Sequence, residues 1–214
     1  MNKASEARHM YHTTVPRKSS QLRHRQSDIY VSESALRIRA LVQEDLQSQD
    51  IAQALFFTTG IVDRIRRQVS LGLTIICDSN LVSASIDRTL IERFPVRVEC
   101  LLDTPEVNLI AEQRRVTRAE VAMEQAQRIA GPKLIVVGSA PTALRSLLQL
   151  HSASPLREVA IVAAPTGYAG VIELKERLWE SGLPCIVTRG HRGGIADAAA
   201  VTNALLRDAL AQPF

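Results

Sequence analysis

The sequence has few cysteines and no long hydrophobic run. Its three cysteines, Cys77, Cys100 and Cys185, are far apart, and each lies in an apolar stretch. This pattern is typical of buried, reduced thiols, so we expect neither a disulfide framework nor a cysteine metal site. Apolar runs reach only about eight residues, too short to cross a bilayer, and residues 1–30 contain no apolar signal-peptide core. We therefore expect a cytoplasmic protein that does not span a membrane.

The common cofactor and hydrolase motifs are also missing. No GxGxxG or GxxxxGK[ST] pattern occurs, so the usual fingerprints of dinucleotide and P-loop nucleotide binding are absent. Ser139 lies in G-S-A-P rather than in a G-x-S-x-G elbow, which argues against a hydrolytic nucleophile. None of the five histidines has metal-ligand spacing with Cys, Asp or Glu. We expect no metal and no cofactor.

Aromatic residues are scarce, and basic charge is concentrated at the N-terminus. Residues 1–25 contain six Lys or Arg against one acid, Glu6. We expect a basic, flexible arm over residues 1–28 and a folded domain over residues 29–214. Phosphate contacts to nucleic acid are an alternative for the arm, but without interleaved aromatics to stack on bases we expect no nucleic-acid partner.

What the sequence does contain is an alternation of apolar strands and amphipathic helices. Continuous apolar runs predict strands over residues 73–77, 96–102, 134–137, 159–163 and 185–188. Helical periodicity predicts helices over residues 117–130, 142–150, 171–181 and 196–210, and residues 32–69 also read as helical. Runs that are apolar at every position are typical of strands buried on both faces. The pattern predicts a single α/β domain with a mostly parallel sheet of about five strands flanked by helices.

Small and polar residues follow each predicted strand. In an open parallel sheet, ligands bind beyond the carboxyl ends of the strands. Small residues there let the backbone approach a ligand, and helix starts offer free amides to anions. We therefore expect a site for a large, multiply acidic ligand, although tight turns alone would also explain these residues. The residues at these exits are Asp78, Ser79, Asn80, Asp103, 138–142, 165–170 and 189–194.

Five stretches of the chain resemble one family. GSAPTALRSLLQL (138–150) is similar to the G-N-A-P-T-A-L-x-x-L-L-E-L signature of precorrin-8X methylmutases. The stretches TIICDSNLV (74–82), VTRAEVAM (116–123), AAPTGYAGVIELKERL (163–178) and RGHRGGIADAAAVTNALL (189–206) resemble further family blocks in family order. The resemblance implies an isomerase that moves a methyl group between neighbouring carbons of a tetrapyrrole-derived macrocycle in cobalamin biosynthesis, without a cofactor and as a homodimer.

The resemblance also implies a set of substrate-binding residues. Arg118 and Arg189 match family positions and would pair with substrate carboxylates. Alternatively, Arg118 is only a surface charge at a helix start, and Arg189 pairs with Asp197. The full set is Asp78, Asn80, Arg118, Gly138, Ser139, Ala140, Pro141, Thr142, Thr166, Gly167, Tyr168, Arg189, Gly193 and Gly194.

The chain departs from the family pattern at two positions. Family members carry a His that assists the methyl shift, and the ungapped match of FFTTGIVDRIRRQV (56–69) to the family places Glu44 in that column. A protonated Glu44 carboxyl buried against the macrocycle would be the catalytic hydrogen-bond donor. Alternatively, Glu44 is a solvated residue at a helix end, and the chain is a divergent or inactive relative. His12 in YHTT has the family letters but lies too early. Ser139 replaces the signature Asn and offers a single donor.

These departures keep two alternatives open. One is a tetrapyrrole-binding relative that does not rearrange its ligand. The other is an α/β protein that binds a phosphate or nucleotide at its glycine-rich strand exits.

Overall fold

A six-stranded sheet lies at the centre of residues 31–212, the part of the chain that the computed structural model describes. The strand order is β1-β6-β5-β4-β2-β3, and every neighbouring pair is parallel except β1 with β6. The predicted single α/β domain with a mostly parallel sheet is confirmed. The strands are β1 (Leu55–Phe57), β2 (Leu73–Cys77), β3 (Val96–Glu99), β4 (Lys133–Val137), β5 (Val159–Ala163) and β6 (Cys185–Thr188). The predicted basic arm, residues 1–28, lies outside the described residues.

Two strand predictions need correction. Residues 55–57 were expected to be helical, but they form β1, whose Leu55 and Phe57 pair with Thr188 and Ile186 of β6. Three residues carry too little periodicity to identify a strand, so pairing with β6 decides the local structure. β3 ends at Glu99 rather than at residue 102, because the carbonyl of Leu101 accepts from the N–H of Thr104 in the turn that precedes the next helix.

Helices cover both faces of the sheet. Thr117 forms a capping box with Glu120, whose carboxylate accepts from the N–H of Thr117 at 2.9 Å. That helix ends at Ala126, four residues earlier than predicted, because the N–H groups of Arg128 and Ile129 bond three residues back in tighter turns. The helices are α1 (Glu33–Leu46), α2 (Gln49–Ala54), α3 (Ile61–Leu71), α4 (Asn80–Ala84), α5 (Arg88–Ile91), α6 (Pro105–Arg114), α7 (Arg118–Ala126), α8 (Pro141–Ala153), α9 (Ala169–Glu180) and α10 (Ile195–Ala211).

The sheet divides the core into two apolar clusters. Successive residues of β2 show the division, since Ile75 packs into the cluster with α1, α3 and α10, and Ile76 packs into the cluster with α7, α8 and α9. Both side chains are fully buried, which contributes about 1.5 to 3 kcal/mol for a residue of this size. The predicted buried thiols Cys77 and Cys185 lie in these layers, and burial raises the pKa of Cys185 to about 12.

The four central strands end side by side. β2, β4, β5 and β6 are parallel neighbours, so the loops that follow them gather at one edge of the sheet, which we call the carboxyl edge. None of the helices within residues 31–212 has the combination of length and hydropathy that a bilayer crossing requires.

Candidate functional site

Asp78 joins two loops of the carboxyl edge. It follows β2 and is only 2% exposed. Its Oδ2 accepts from the N–H groups of Ser139 and Ala140, at 2.8 and 2.6 Å, and from the Ser139 hydroxyl at 3.3 Å. Its buried Oδ1 has no hydrogen-bond partner in the described part of the chain. The carboxylate therefore fixes the G-S-A-P turn. The two backbone amides of this turn, which were expected to face an anionic ligand, donate to Asp78 instead.

Gly138 is required by packing at the start of the same turn. A Cβ at this position would lie 2.8 Å from Cγ2 of Val82 and 2.9 Å from Cβ of Ala198. α4 and α10 can thus approach β4 closely only because residue 138 has no side chain. Pro141 then occupies the first turn of α8, where a missing N–H costs no hydrogen bond, and Thr142 follows it.

The loops after β5 and β6 are joined by backbone hydrogen bonds. We call them the 164–168 loop and the 189–194 loop. The N–H of Gly194 donates to the carbonyl of Ala164 at 2.6 Å. The carbonyl of His191 accepts from the N–H of Gly167 at 3.2 Å and from the Thr166 hydroxyl at 3.3 Å. Gly193 has a φ of +140°, and a Cβ there would lie 2.2 Å from the Ala164 oxygen. The two loops form one unit that admits only glycine at position 193.

This pair of loops presents two rings to the exterior. The rings of Tyr168 and His191 are almost parallel, with an interplanar angle of 5° and centroids 5.9 Å apart. Tyr168 is 80% exposed, unusually open for an aromatic residue. The surface that the pair offers is planar and partly apolar.

Arg118 lies at the other end of the carboxyl edge. It is the first residue of α7 and pairs with Asp103, which also accepts from the side-chain amide of Asn80. The Arg118 side chain is 51% exposed. The structure thus brings Arg118 together with Asn80 and leaves a guanidinium facing solvent; the substrate contact stays a prediction.

Arg189 is held by groups that the sequence analysis did not name. Its Nε donates to Glu176 at 2.8 Å, a second nitrogen pairs with the same carboxylate, and its guanidinium lies 4.8 Å from the ring centroid of Phe56. The ion-pair partner is therefore Glu176 and not Asp197, so that alternative was wrong. A pocket of about 300 Å³ lies beside Arg189. Its lining is Asp50, Gln53, Ala54, Arg189, Gly190, His191 and Arg192.

Sequence reasoning missed Lys175, which lies completely buried under the 189–194 loop. Its Nζ donates to the carbonyl of Arg192 at 2.8 Å. Burial lowers the pKa of Lys175 to about 8, although the carboxylates of Glu176 and Asp197 oppose that shift. A signal was present in the sequence: Lys175 occupies the apolar stripe that Val171, Leu174 and Leu178 define at helical spacing.

Glu44 lies on α1 rather than on a loop of the carboxyl edge. It is an exposed residue near the C-terminal end of α1, which packs against α10 and α2. Its carbonyl accepts from the side-chain amide of Gln47 at 2.7 Å. Its catalytic role stays a prediction, and His12 lies outside the described residues. No cluster of three metal-ligating side chains occurs within residues 31–212.

A helix-covered parallel sheet with small-residue loops at its carboxyl edge defines an α/β protein whose candidate site lies at that edge. A sequence profile of the family described as precorrin-8X methylmutase matches residues 21–208. The chain belongs to the precorrin-8X methylmutase family.

Individual relatives agree with this assignment. The precorrin-8X methylmutase of Pseudomonas aeruginosa is 35% identical over 160 residues, which cover 73% of this chain and 76% of the relative. The cobalt-precorrin-8 methylmutase of Methanothermobacter thermautotrophicus is 30% identical over 187 residues, which cover 79% and 87%.

Solved structures show the same fold. A precorrin-8X methylmutase related protein superimposes with a TM-score of 0.76 at 28% identity, covering 84% of this chain and 94% of that one. The precorrin-8X methylmutase of Thermus thermophilus gives a TM-score of 0.74 at 25% identity, covering 84% and 89%.

Proposed function

We propose that this chain catalyses the intramolecular methyl migration on a precorrin-8X type macrocycle in cobalamin biosynthesis. The observation that carries the proposal is the continuous carboxyl edge, where the family's sequence blocks converge in three dimensions. Asp78 meets the G-S-A-P turn, and the 164–168 and 189–194 loops meet through Ala164 and Gly194. Four separate stretches of family resemblance thus contribute to one surface.

The chemistry of the substrate fits this surface. The macrocycle is large, partly planar and carries several carboxylates. The parallel rings of Tyr168 and His191 offer a planar contact to the macrocycle, and the exposed guanidinium of Arg118 offers charge to a carboxylate. The predicted contacts Thr166, Gly167, Gly193 and Gly194 belong to the loops that carry those rings.

Catalysis of this reaction needs no group beyond the protein and the macrocycle. The methyl group leaves one ring carbon as its bond to the neighbouring carbon forms, so no atom is gained or lost. The protein contributes by holding the ring in one geometry and protonation state and by binding the rearranged electronic arrangement more tightly. In this proposal Glu44 takes the role that the family assigns to its His.

We further propose that the chain acts in the cytoplasm as a homodimer. The pocket beside Arg189 measures about 300 Å³, at the lower limit for drug-sized ligands and small for a macrocycle with several side chains. A second subunit placed over the carboxyl edge would deepen it.

The direct test is to mix the purified protein with precorrin-8X, or its cobalt form, and to follow the visible spectrum over time. Conversion to the spectrum of the rearranged product supports the proposal. A spectral shift without conversion supports the second candidate function, a tetrapyrrole-binding relative, which Ser139 and Glu44 favour because they replace the family's Asn and His. Absence of any change contradicts both.

Glu44 is tested by a pair of substitutions. Glu44→Gln retains a hydrogen-bond donor and should keep measurable turnover, whereas Glu44→Ala should lower kcat by about 100-fold, the typical worth of a proton-donating group. Equal kcat values for the two variants would remove Glu44 from the mechanism.

A further inference from the structure

The buried lysine of α9 serves no purpose in the chemistry described so far. Lys175 is 0% exposed, and it lies among the apolar side chains of α9. Removing an ammonium group from water is unfavourable unless other groups replace the lost hydration. An apolar residue of similar volume would stabilise such a position at least as well. The presence of a lysine therefore calls for a role other than stability.

The single hydrogen bond of Lys175 within the described residues identifies what it holds. Its Nζ donates to the carbonyl of Arg192 at 2.8 Å, and the Thr188 hydroxyl donates to the same oxygen at 3.2 Å. Thr188 is the last residue of β6 and is also fully buried. Two buried donors therefore converge on one carbonyl at the middle of the 189–194 loop.

That carbonyl lies between the two contacts that join the loops. On one side of Arg192, the His191 carbonyl accepts from Gly167 and Thr166. On the other side, Gly193 packs against Ala164 and Gly194 donates to it. The hydrogen bonds from Lys175 and Thr188 to the Arg192 carbonyl therefore also hold the two neighbouring contacts of this loop with the 164–168 loop.

The charges around Lys175 do not provide it with an ion pair. Glu176 of α9 is engaged by Arg189, and Asp197 lies in the first turn of α10 at 9% exposure. Arg192 of the loop pairs with Asp50 on α2. Among the salt bridges within residues 31–212, none includes Lys175, so the Arg192 carbonyl is the group to which its ammonium is hydrogen-bonded.

We propose that Lys175 is a positioning residue for the macrocycle-binding edge. Its charged hydrogen bond to Arg192 holds the 189–194 loop, and through His191 and Gly194 it holds the 164–168 loop and the Tyr168 ring. The role in ligand binding rests on the proposed function, whereas the role in holding the loops does not.

A matched control exists at the opposite end of the sheet. Lys133 is 5% exposed, and its Nζ donates to the carbonyls of Ile129 and Gly131 at 2.7 and 2.8 Å. It begins β4, so it lies at the amino ends of the strands. Lys133→Met removes the same chemistry from a buried site that does not contact the carboxyl edge.

The first experiment measures amide hydrogen exchange at Gly167 and Gly194, which bridge the two loops. Lys175→Met should accelerate exchange at both amides by about ten-fold or more relative to the wild type, because the loop junction opens more often. Lys133→Met should leave both rates unchanged. Thr188→Val, which removes the weaker donor to the same carbonyl, should give a smaller acceleration and provides a second variant if Lys175→Met fails to fold.

The second experiment measures steady-state kinetics with precorrin-8X and the binding of dicyanocobyrinic acid, a corrin with free carboxylates. Lys175→Met should raise KM and the corrin Kd by about ten-fold and change kcat less, because the substrate surface is disordered while the reacting groups remain. Unchanged exchange at Gly167 and Gly194, or equal acceleration in Lys133→Met, would overturn the proposal. If the wild type neither binds nor converts a corrin, the proposed function fails, and the exchange rates still decide the role of Lys175.

Discussion

Each half of the carboxyl edge contains one buried charge that holds a loop, and the two charges have opposite signs. At the β2/β4 half, the carboxylate of Asp78 accepts from two backbone amides of the G-S-A-P turn. At the β5/β6 half, the ammonium group of Lys175 donates to a backbone carbonyl of the 189–194 loop. Each half therefore uses one buried charge to hold the backbone of a glycine-containing loop. The comparison indicates that loop shape, rather than a dense set of reactive groups, is what this edge provides.

The largest effect should come from Gly193, which tests whether the β5/β6 half depends on close backbone contact. Gly193→Ala should lower the free energy of unfolding by about 3 to 4 kcal/mol, because its Cβ would collide with the Ala164 carbonyl at a φ of +140°. Urea denaturation measures the loss. Gly190→Ala is the control, since position 190 also has a positive φ but open space around it. Equal losses would show that backbone conformation alone matters at both positions.

The next effect should come from Asp78 and tests the β2/β4 half. Asp78→Ala should cost about 2 to 3 kcal/mol of unfolding free energy, since it leaves the amides of Ser139 and Ala140 without an acceptor. Asp78→Asn keeps one oxygen for those amides and should cost under about 1 kcal/mol. Denaturation curves of the two variants, compared at one pH, distinguish hydrogen bonding from charge. An equally large loss in Asp78→Asn would mean that the negative charge itself is required.

A smaller, pH-dependent effect tests the buried charge of the β5/β6 half. The pKa of Lys175 is about 8 in the folded chain, below the ordinary value of 10.5, so the unfolded chain binds more protons between these values. The wild type should therefore gain about 2 kcal/mol of unfolding free energy relative to Lys175→Met as the pH rises from 7 to 10. Denaturation of both proteins across this range measures the difference. A difference that stays constant with pH would show that the buried amine keeps its ordinary pKa.

The smallest effect on stability should come from Arg118, at the periphery of the β2/β4 half. Arg118→Ala should change the free energy of unfolding by under about 0.5 kcal/mol, because its pair with Asp103 is half exposed. KM for precorrin-8X should rise several-fold through loss of a carboxylate contact. Arg128→Ala removes another exposed arginine, beyond the C-terminal end of α7, and should leave KM unchanged. Equal KM values for the two variants would identify Arg118 as surface charge only.

The central strands of the sheet could be predicted from the sequence because they are apolar at nearly every position. LTIIC, LIVV and VAIVA are apolar at all positions but one, and the turns that follow them mark the carboxyl edge. The strand β1 was missed because three residues paired with β6 are specified by that partner and not by their own pattern.

The site was harder to predict because its polar groups contact one another. Sequence position showed that Asp78 and the G-S-A-P turn lie at strand ends, but not that the carboxylate would occupy the amides of that turn. The same holds for Arg189, whose partner is Glu176 on α9 and not Asp197 on α10. Lys175 could have been noticed in the sequence, because it is a charged residue in the apolar stripe of a helix. A buried ammonium group needs a hydrogen-bond acceptor, which here is the Arg192 carbonyl.

The outer strands of the sheet have a consequence for self-association. β1 spans only three residues, and β3 spans four, with Arg97 and Glu99 on it. Short terminal strands and charged side chains oppose the addition of a strand from another molecule. Two copies of this chain would therefore not join their sheets into one continuous sheet. Helices and loops, rather than the strands at the two sides of the sheet, are then the surfaces left for subunit contact in the proposed homodimer.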